Sequence, residues 1–166
     1  MSYITYADVV GKPHDTCRAL RLIMPSVVGS VVTDWSSAVV KLDLQLQPPL
    51  ELQAHGYQVE QIRIVQRRDA TQPVPEAFPS GSARSWLHRN PGADGSPGGA
   101  LCLWYPEDPP RLCWDWSHGF ERFVFLVQRH LETEELVRRG NPWPVEDAPH
   151  GHRLDGKPHP ILCARR

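Results

Sequence analysis

Apolar and polar residues alternate with a period of two along residues 39–47, where Val40, Leu42, Leu44 and Leu46 interleave with Lys41, Asp43, Gln45 and Gln47. That period predicts a strand with one buried and one wet face, and Pro48-Pro49 ends it. Alternation returns along residues 57–65, with Tyr57 and Val59, then Ile62 and Ile64 opposite Gln61 and Arg63. The phase changes near Glu60 and Gln61, which predicts a bulge there. Residues 26–32 are rich in β-branched valine and read as a strand with Gly29 as its weak point or bulge. Residues 17–24 read as a short helix, capped by Asp15 or Thr16 and stopped by Pro25. Residues 1–13 read as a mixed lead-in. The prolines at 73, 75 and 79 predict an extended segment. Residues 83–87 and 101–105 read as short strands, the second as the central one.

The period then switches. Phe120, Phe123, Val124, Val127 and Leu131 recur at steps of three and four, which predicts a helix over 118–139 with one apolar face. Ser117 is placed to cap its start. Arg138, Arg139, Gly140, Asn141 and Pro142 supply a basic last turn and a stop. Phe125 and Leu126 fall off the main face, so cover on two sides is expected. Strands first and a long helix later, without βαβ alternation, argue for an α+β fold: an antiparallel meander sheet packed against a long C-terminal helix. Residues 1–151 are read as a single domain and 152–166 as a loosely ordered polar tail.

Composition narrows the function classes. The chain has 166 residues, 40% of them hydrophobic and 22% charged, enough for one globular domain with a real core. Its 17 prolines and 12 glycines favour short elements joined by loops over a helical bundle. A net charge of −1 offers no electrostatic case for binding nucleic acid or an anionic membrane. The first residues lack the pattern of a secretory signal, and no stretch approaches the roughly 18 apolar residues of a membrane span. A cytoplasmic setting is expected, with cysteines kept as thiols.

Candidate chemistry centres on Cys102, in the run Leu101-Cys102-Leu103-Trp104-Tyr105-Pro106-Glu107-Asp108-Pro109, downstream of a glycine-rich loop at 92–99. A thiol beside such a loop has access and nearby backbone donors, as a nucleophile needs. The same residue also reads as an ordinary small core side chain. Cys113, beside Arg111, is the rival thiol. Asn90 is a candidate oxyanion donor, or an Asx turn before Pro91. His88 is a candidate to orient the loop. Asp94, Glu107 and Asp108 are candidates to steer or deprotonate an amine, and Trp114, Trp116 and Trp143 read as core and helix anchors. His14 with Cys17, and His159 with Cys163 near His150 and His152, have ligand-like spacings. Neither supplies the paired Cys-x-x-Cys of a structural zinc site, and no metal or cofactor is assigned.

The landmarks His88-Arg89-Asn90, Leu101-Cys102-Leu103-Trp104, the acidic proline-bearing patch at 106–109, Trp114, the long helix, and Trp143-Pro144-Val145-Glu146-Asp147-Ala148-Pro149-His150 occur in one order. In that order the chain resembles ubiquitin-conjugating enzymes, whose active cysteine sits in a Cys-Leu pair downstream of a His-Pro-Asn motif. It resembles more closely the bacterial ubiquitin-conjugating-like proteins of anti-phage CBASS operons, encoded beside a cGAS-like nucleotidyltransferase. Arg89 stands where the motif has proline, and Val145 where the bacterial proteins have glycine. The resemblance implies a UBC-like fold and an acyl transferase carrying the C-terminal acyl group of a protein partner as a thioester on Cys102. Asn90 and His88 would be site residues, the cGAS-like synthase the acyl donor, an amine the acceptor, and antiviral defence the setting. The chain carries no nucleotide-binding glycine signature, so activation would come from a separate enzyme. The alternative is a non-catalytic binding module of the same fold, with Cys102 buried.

Overall fold

The computed structural model describes residues 3–79, 89, 99–104 and 113–142. In chain order they form α1 (Tyr6–Gly11), α2 (Pro13–Ile23), β1 (Val27–Trp35), β2 (Val39–Leu46), α3 (Leu50–Ala54), β3 (Glu60–Arg67), β4 (Glu76–Pro79), a 3₁₀ turn (Trp116–His118) and α4 (Phe120–Arg138). The strands make an antiparallel sheet in the order β1-β2-β3-β4. The architecture is therefore α+β, a four-stranded meander followed by a long helix.

The alternation in the sequence becomes the two faces of this sheet. Val40, Leu42, Leu44 and Leu46 of β2 and Ile62 and Ile64 of β3 are buried, in one core with Phe120, Phe123, Val124, Val127 and Leu131 of α4. Lys41, Asp43, Gln45, Gln61 and Arg63 take the other face. There the directly opposed pair Asp43 and Arg63 forms a two-pronged ion pair, with Nε and Nη2 at 2.7 and 2.8 Å from the carboxylate oxygens.

The register of β2 on β3 runs unbroken from Val39↔Arg67 to Leu46↔Glu60, so the bulge expected at 60–61 is absent. The phase change instead marks where the strand begins, because residues 57–59 precede β3. The irregularity anticipated at Gly29 is real: the β1–β2 register shifts between Val27 and Gly29, and again between Val32 and Asp34.

Other expectations need correction. The lead-in contains α1, held by a reciprocal box in which Thr5 Oγ1 accepts from the Asp8 amide and Asp8 accepts from the Thr5 amide at 3.0 Å. The first long helix starts at Pro13, four residues before the expected start, with Lys12 before it. Proline fits a first helical position because its fixed φ suits the helix and its missing N–H would have no partner there. Ser117 does not cap α4. Asp115 caps the 3₁₀ turn instead, and Gly119, at φ +81°, turns the chain into α4. A side chain at Gly119 would meet Glu121 Oε1 at 2.6 Å. Of the two residues off the main face, Leu126 packs half-buried against the core, whereas Phe125 is exposed under the Arg122 guanidinium. Residues 101–104 do not form a central strand: Leu101 makes an isolated bridge to Arg89, residues 102–104 lie outside the sheet, and Tyr105 lies outside the described residues. The expected strand at 83–87 and tail at 152–166 lie outside the described residues.

Among the described residues, no helix is long and apolar enough to cross a membrane.

Candidate functional site around Cys102

The segment that carries Cys102 is fixed on both sides. Upstream, the Leu101 amide donates to the Ala77 carbonyl of β4 at 2.8 Å, and Leu101 pairs with Arg89 in an antiparallel bridge. Arg89 Nε donates to the Gly99 carbonyl at 2.6 Å, which ties position 89 to position 99 from a second direction. Downstream, the Trp104 indole stands edge-on to Phe123 of α4 at 6.3 Å between centroids. Phe123 belongs to an aromatic cluster with Phe120, Trp114 and Trp116. Trp114 is anchored by its Nε1, which donates to the Gly119 carbonyl at 2.9 Å, and Trp116 Nε1 donates to the Gln72 carbonyl at 3.0 Å. Both act as core and helix anchors.

Between these fixtures Cys102 is buried, at 8% relative exposure, and its Sγ lies 3.5 Å from the Trp104 carbonyl. A groove of about 250 Å³ runs along the same segment, between Val74, Pro75 and Glu76 on one side and Ala100, Leu101, Leu103 and Trp104 on the other. The thiol thus lies in irregular backbone whose neighbours are fixed on both sides. Such a segment can open locally without unfolding the sheet.

The other described cysteines are set apart. Cys17 is buried on α2, and burial pushes its thiol above the ordinary value; a thiol held neutral is a poor nucleophile. Cys113 is half-buried just before Trp114. His14 packs edge-on against Trp35 at 6.0 Å. No group of three His, Cys, Asp or Glu side chains among the described residues is arranged to hold a metal. His88, Asn90, Asp94, Glu107, Asp108, Trp143, His150, His152, His159 and Cys163 lie outside the described residues.

One set of residues escaped the sequence reading. In the second half of α4, Glu134 is fully buried at 0% exposure. Its Oε1 lies 3.0 Å from His130 Nε2, and its Oε2 accepts from Arg138 Nη2 at 3.0 Å. Arg89 is held below its ordinary value, chiefly by burial, with the negative charge of Glu134 opposing in part. A buried carboxylate is tolerated when cations and hydrogen bonds compensate its lost hydration. The signal was present in the periodicity. Phe120, Phe123, Val127, His130 and Glu134 continue a single stripe at steps of three and four, so His130 and Glu134 occupy core positions although their polarity reads as surface.

Compared with protein-family models, with curated proteins and with solved structures, the chain matches none of them.

Proposed function

We propose that this chain is an acyl carrier of the ubiquitin-conjugating type, with a UBC-like fold and Cys102 as its nucleophile. The observation that carries the reading is the setting of Cys102: a thiol in a pinned, irregular segment between the last strand of a meander and a long helix. That succession is the one the resemblance implies, and a groove beside the segment offers room for an extended peptide.

In this reading the Cys102 thiolate attacks the activated C-terminal carbonyl of a protein partner. A new C–S bond forms, a tetrahedral oxyanion appears, and the activating enzyme's thiol leaves. An amine then attacks the thioester, Cys102 departs as thiolate, and the nitrogen loses a proton. The partner proposed is a cGAS-like nucleotidyltransferase, with a separate activating enzyme and ATP supplying the energy, and the setting proposed is antiviral defence in a bacterial cytoplasm. The test is adduct formation with such a nucleotidyltransferase, activating enzyme and ATP. Wild type should give a thiol-sensitive adduct, Cys102→Ser a thiol-resistant ester, and Cys102→Ala none. An undiminished adduct on Cys102→Ala refutes the assignment.

A second reading has its own observation. The burial of Cys102 and the contact of Sγ with the Trp104 carbonyl also suit a binding module in which this thiol is core. Maleimide labelling of the folded protein separates the two, since a core thiol stays unlabelled until global unfolding whereas a carrier's is labelled through local opening.

A further inference from the structure

β3 buries Ile62, Ile64 and Gln66 at alternate positions, so a carboxamide stands where the pattern calls for a third apolar side chain. Gln66 is 1% exposed, and its Oε1 has no hydrogen-bond partner. An apolar residue there would avoid the cost of that buried oxygen. What the amide does make is two bonds from Nε2, to the Arg67 and Pro73 carbonyls, both at 2.9 Å. Trp116 reaches the same place from the 3₁₀ turn: its Nε1 donates to the Gln72 carbonyl at 3.0 Å and to the Pro73 carbonyl at 3.2 Å. Tyr6 stands edge-on to Trp116, with centroids 5.2 Å apart, and its hydroxyl accepts from the Asp69 amide at 2.8 Å. Side chains from α1, β3 and the 3₁₀ turn thus grip one loop. Within it Gln72 has φ +50°, a left-handed conformation that a residue with a side chain keeps only where its surroundings hold it. The chain that leaves this grip is Val74, Pro75 and Glu76, one wall of the groove along the Cys102 segment, and the next residue, Ala77, accepts the Leu101 amide.

We infer that Gln66 and Trp116 are positioning residues for the groove at Cys102: by holding the Gln72 and Pro73 carbonyls they set where the wall at 74–76 stands, and so where the extended C-terminal segment of an acyl donor lies. They act through that backbone. The inference deepens the acyl-carrier reading and rests on it for the functional half of its test. Once released, the wall samples several positions and must be ordered when the donor binds, so the donor binds more weakly. The Cys102 segment keeps its own fixtures at Leu101 and Trp104. Gln66 should therefore matter more to function than to stability. An apolar side chain of its shape removes the unpartnered oxygen along with the two donors, and the Pro73 and Arg67 carbonyls still accept from Trp116 and Tyr6.

The experiment uses Gln66→Met, Trp116→Phe and the double variant, with Leu20→Ala as a control that opens the core at α2, away from the loop. Three quantities are measured. The first is the urea midpoint. The second is hydrogen exchange of the Gln72 amide, which donates to the Asp69 carbonyl at 3.0 Å and reports on the loop. The third is the rate of adduct formation against the concentration of the nucleotidyltransferase charged on its activating enzyme. Gln66→Met is expected to keep the wild-type midpoint, to exchange at Gln72 about tenfold faster, and to raise the half-saturating donor concentration about fivefold with the plateau rate unchanged. Trp116→Phe shifts exchange and half-saturation in the same directions, and the double variant, which leaves the Pro73 carbonyl without either donor, goes furthest. Leu20→Ala lowers the midpoint and leaves Gln72 exchange and half-saturation near wild type under native conditions. Unchanged exchange or unchanged half-saturation in the double variant overturns the inference, as does an equal rise in half-saturation for Leu20→Ala. If the double variant does not fold, Gln66→Met decides alone. If wild type forms no adduct with the partner, the acyl-carrier reading fails, while exchange at Gln72 still decides whether the two side chains hold the loop.

Discussion

The two halves of α4 bury different chemistry on one stripe. From Phe120 to Val127 the stripe is apolar, and its rings stack on or meet Trp104, Trp114 and Trp116 edge-on. From His130 to Arg138 the helix buries Leu131 in the core but also three polar groups, His130, Glu132 and Glu134, the last held by the His130 imidazole and the Arg138 guanidinium. The first half gains stability from area removed from water, which is large and tolerant of detail. The second gains little net stability from its charges, because desolvation offsets their attraction, but it tolerates only one arrangement of partners. The difference teaches a division of labour along one helix: the apolar half packs the core and meets the Cys102 segment through Phe123 and Trp104, and the charged half fixes the partners of a buried carboxylate.

The largest expected effect breaks the apolar half. Phe123 is fully buried among aromatic rings, so Phe123→Ala should cost about 4 kcal/mol in urea unfolding. Glu134→Gln comes next, at about 3 kcal/mol, because it leaves the Arg138 guanidinium facing a neutral partner beside a fully buried position. A loss as small as that of an exposed ion pair, well under 1 kcal/mol, would show that solvent reaches the network and would weaken the contrast between the halves.

The smallest effect lies far from both halves, at the start of α1, and is read by pH. The Thr5 hydroxyl, then the Thr5 backbone, hold the Asp8 carboxyl below its ordinary value of 3.8. A carboxyl depressed in the folded state contributes stability that is present above its unfolded pKa and is lost as pH falls through the folded pKa. Asp8→Asn should therefore flatten the acid side of the stability profile below about pH 4 and cost only a few tenths of a kcal/mol at neutral pH, given its exposure. An unchanged acid slope would mean that the box does not persist in solution.

The parts of the fold legible in the sequence were those where one physical effect dominates. β2 was readable because one face is wet and one dry, and the start of α4 because its stripe is purely apolar. Elements with mixed signals were missed or misplaced. α1 is six residues long and depends on a Thr5–Asp8 box rather than on periodicity. α2 begins at a proline, which reads as a breaker unless it is recognised as a first helical position. At the candidate site, Cys102 was legible as a residue with two meanings, and its burial keeps both in view. Glu134 was not legible, because its polarity reads as surface, and its partners His130 and Arg138, four residues to either side, read equally well as exposed helix pairs.

The central claim, that Cys102 carries an acyl group, is tested most directly by intact mass. The protein is incubated under non-reducing conditions with a cGAS-like nucleotidyltransferase, activating enzyme and ATP, and half of each sample is then treated with thiol. The account predicts an added mass equal to the partner minus one water, erased by thiol and absent from Cys102→Ala. An added mass short by two hydrogens instead would identify a disulfide, and no added mass together with tight non-covalent association would make Cys102 a core residue of a binding module. Either result would contradict the account.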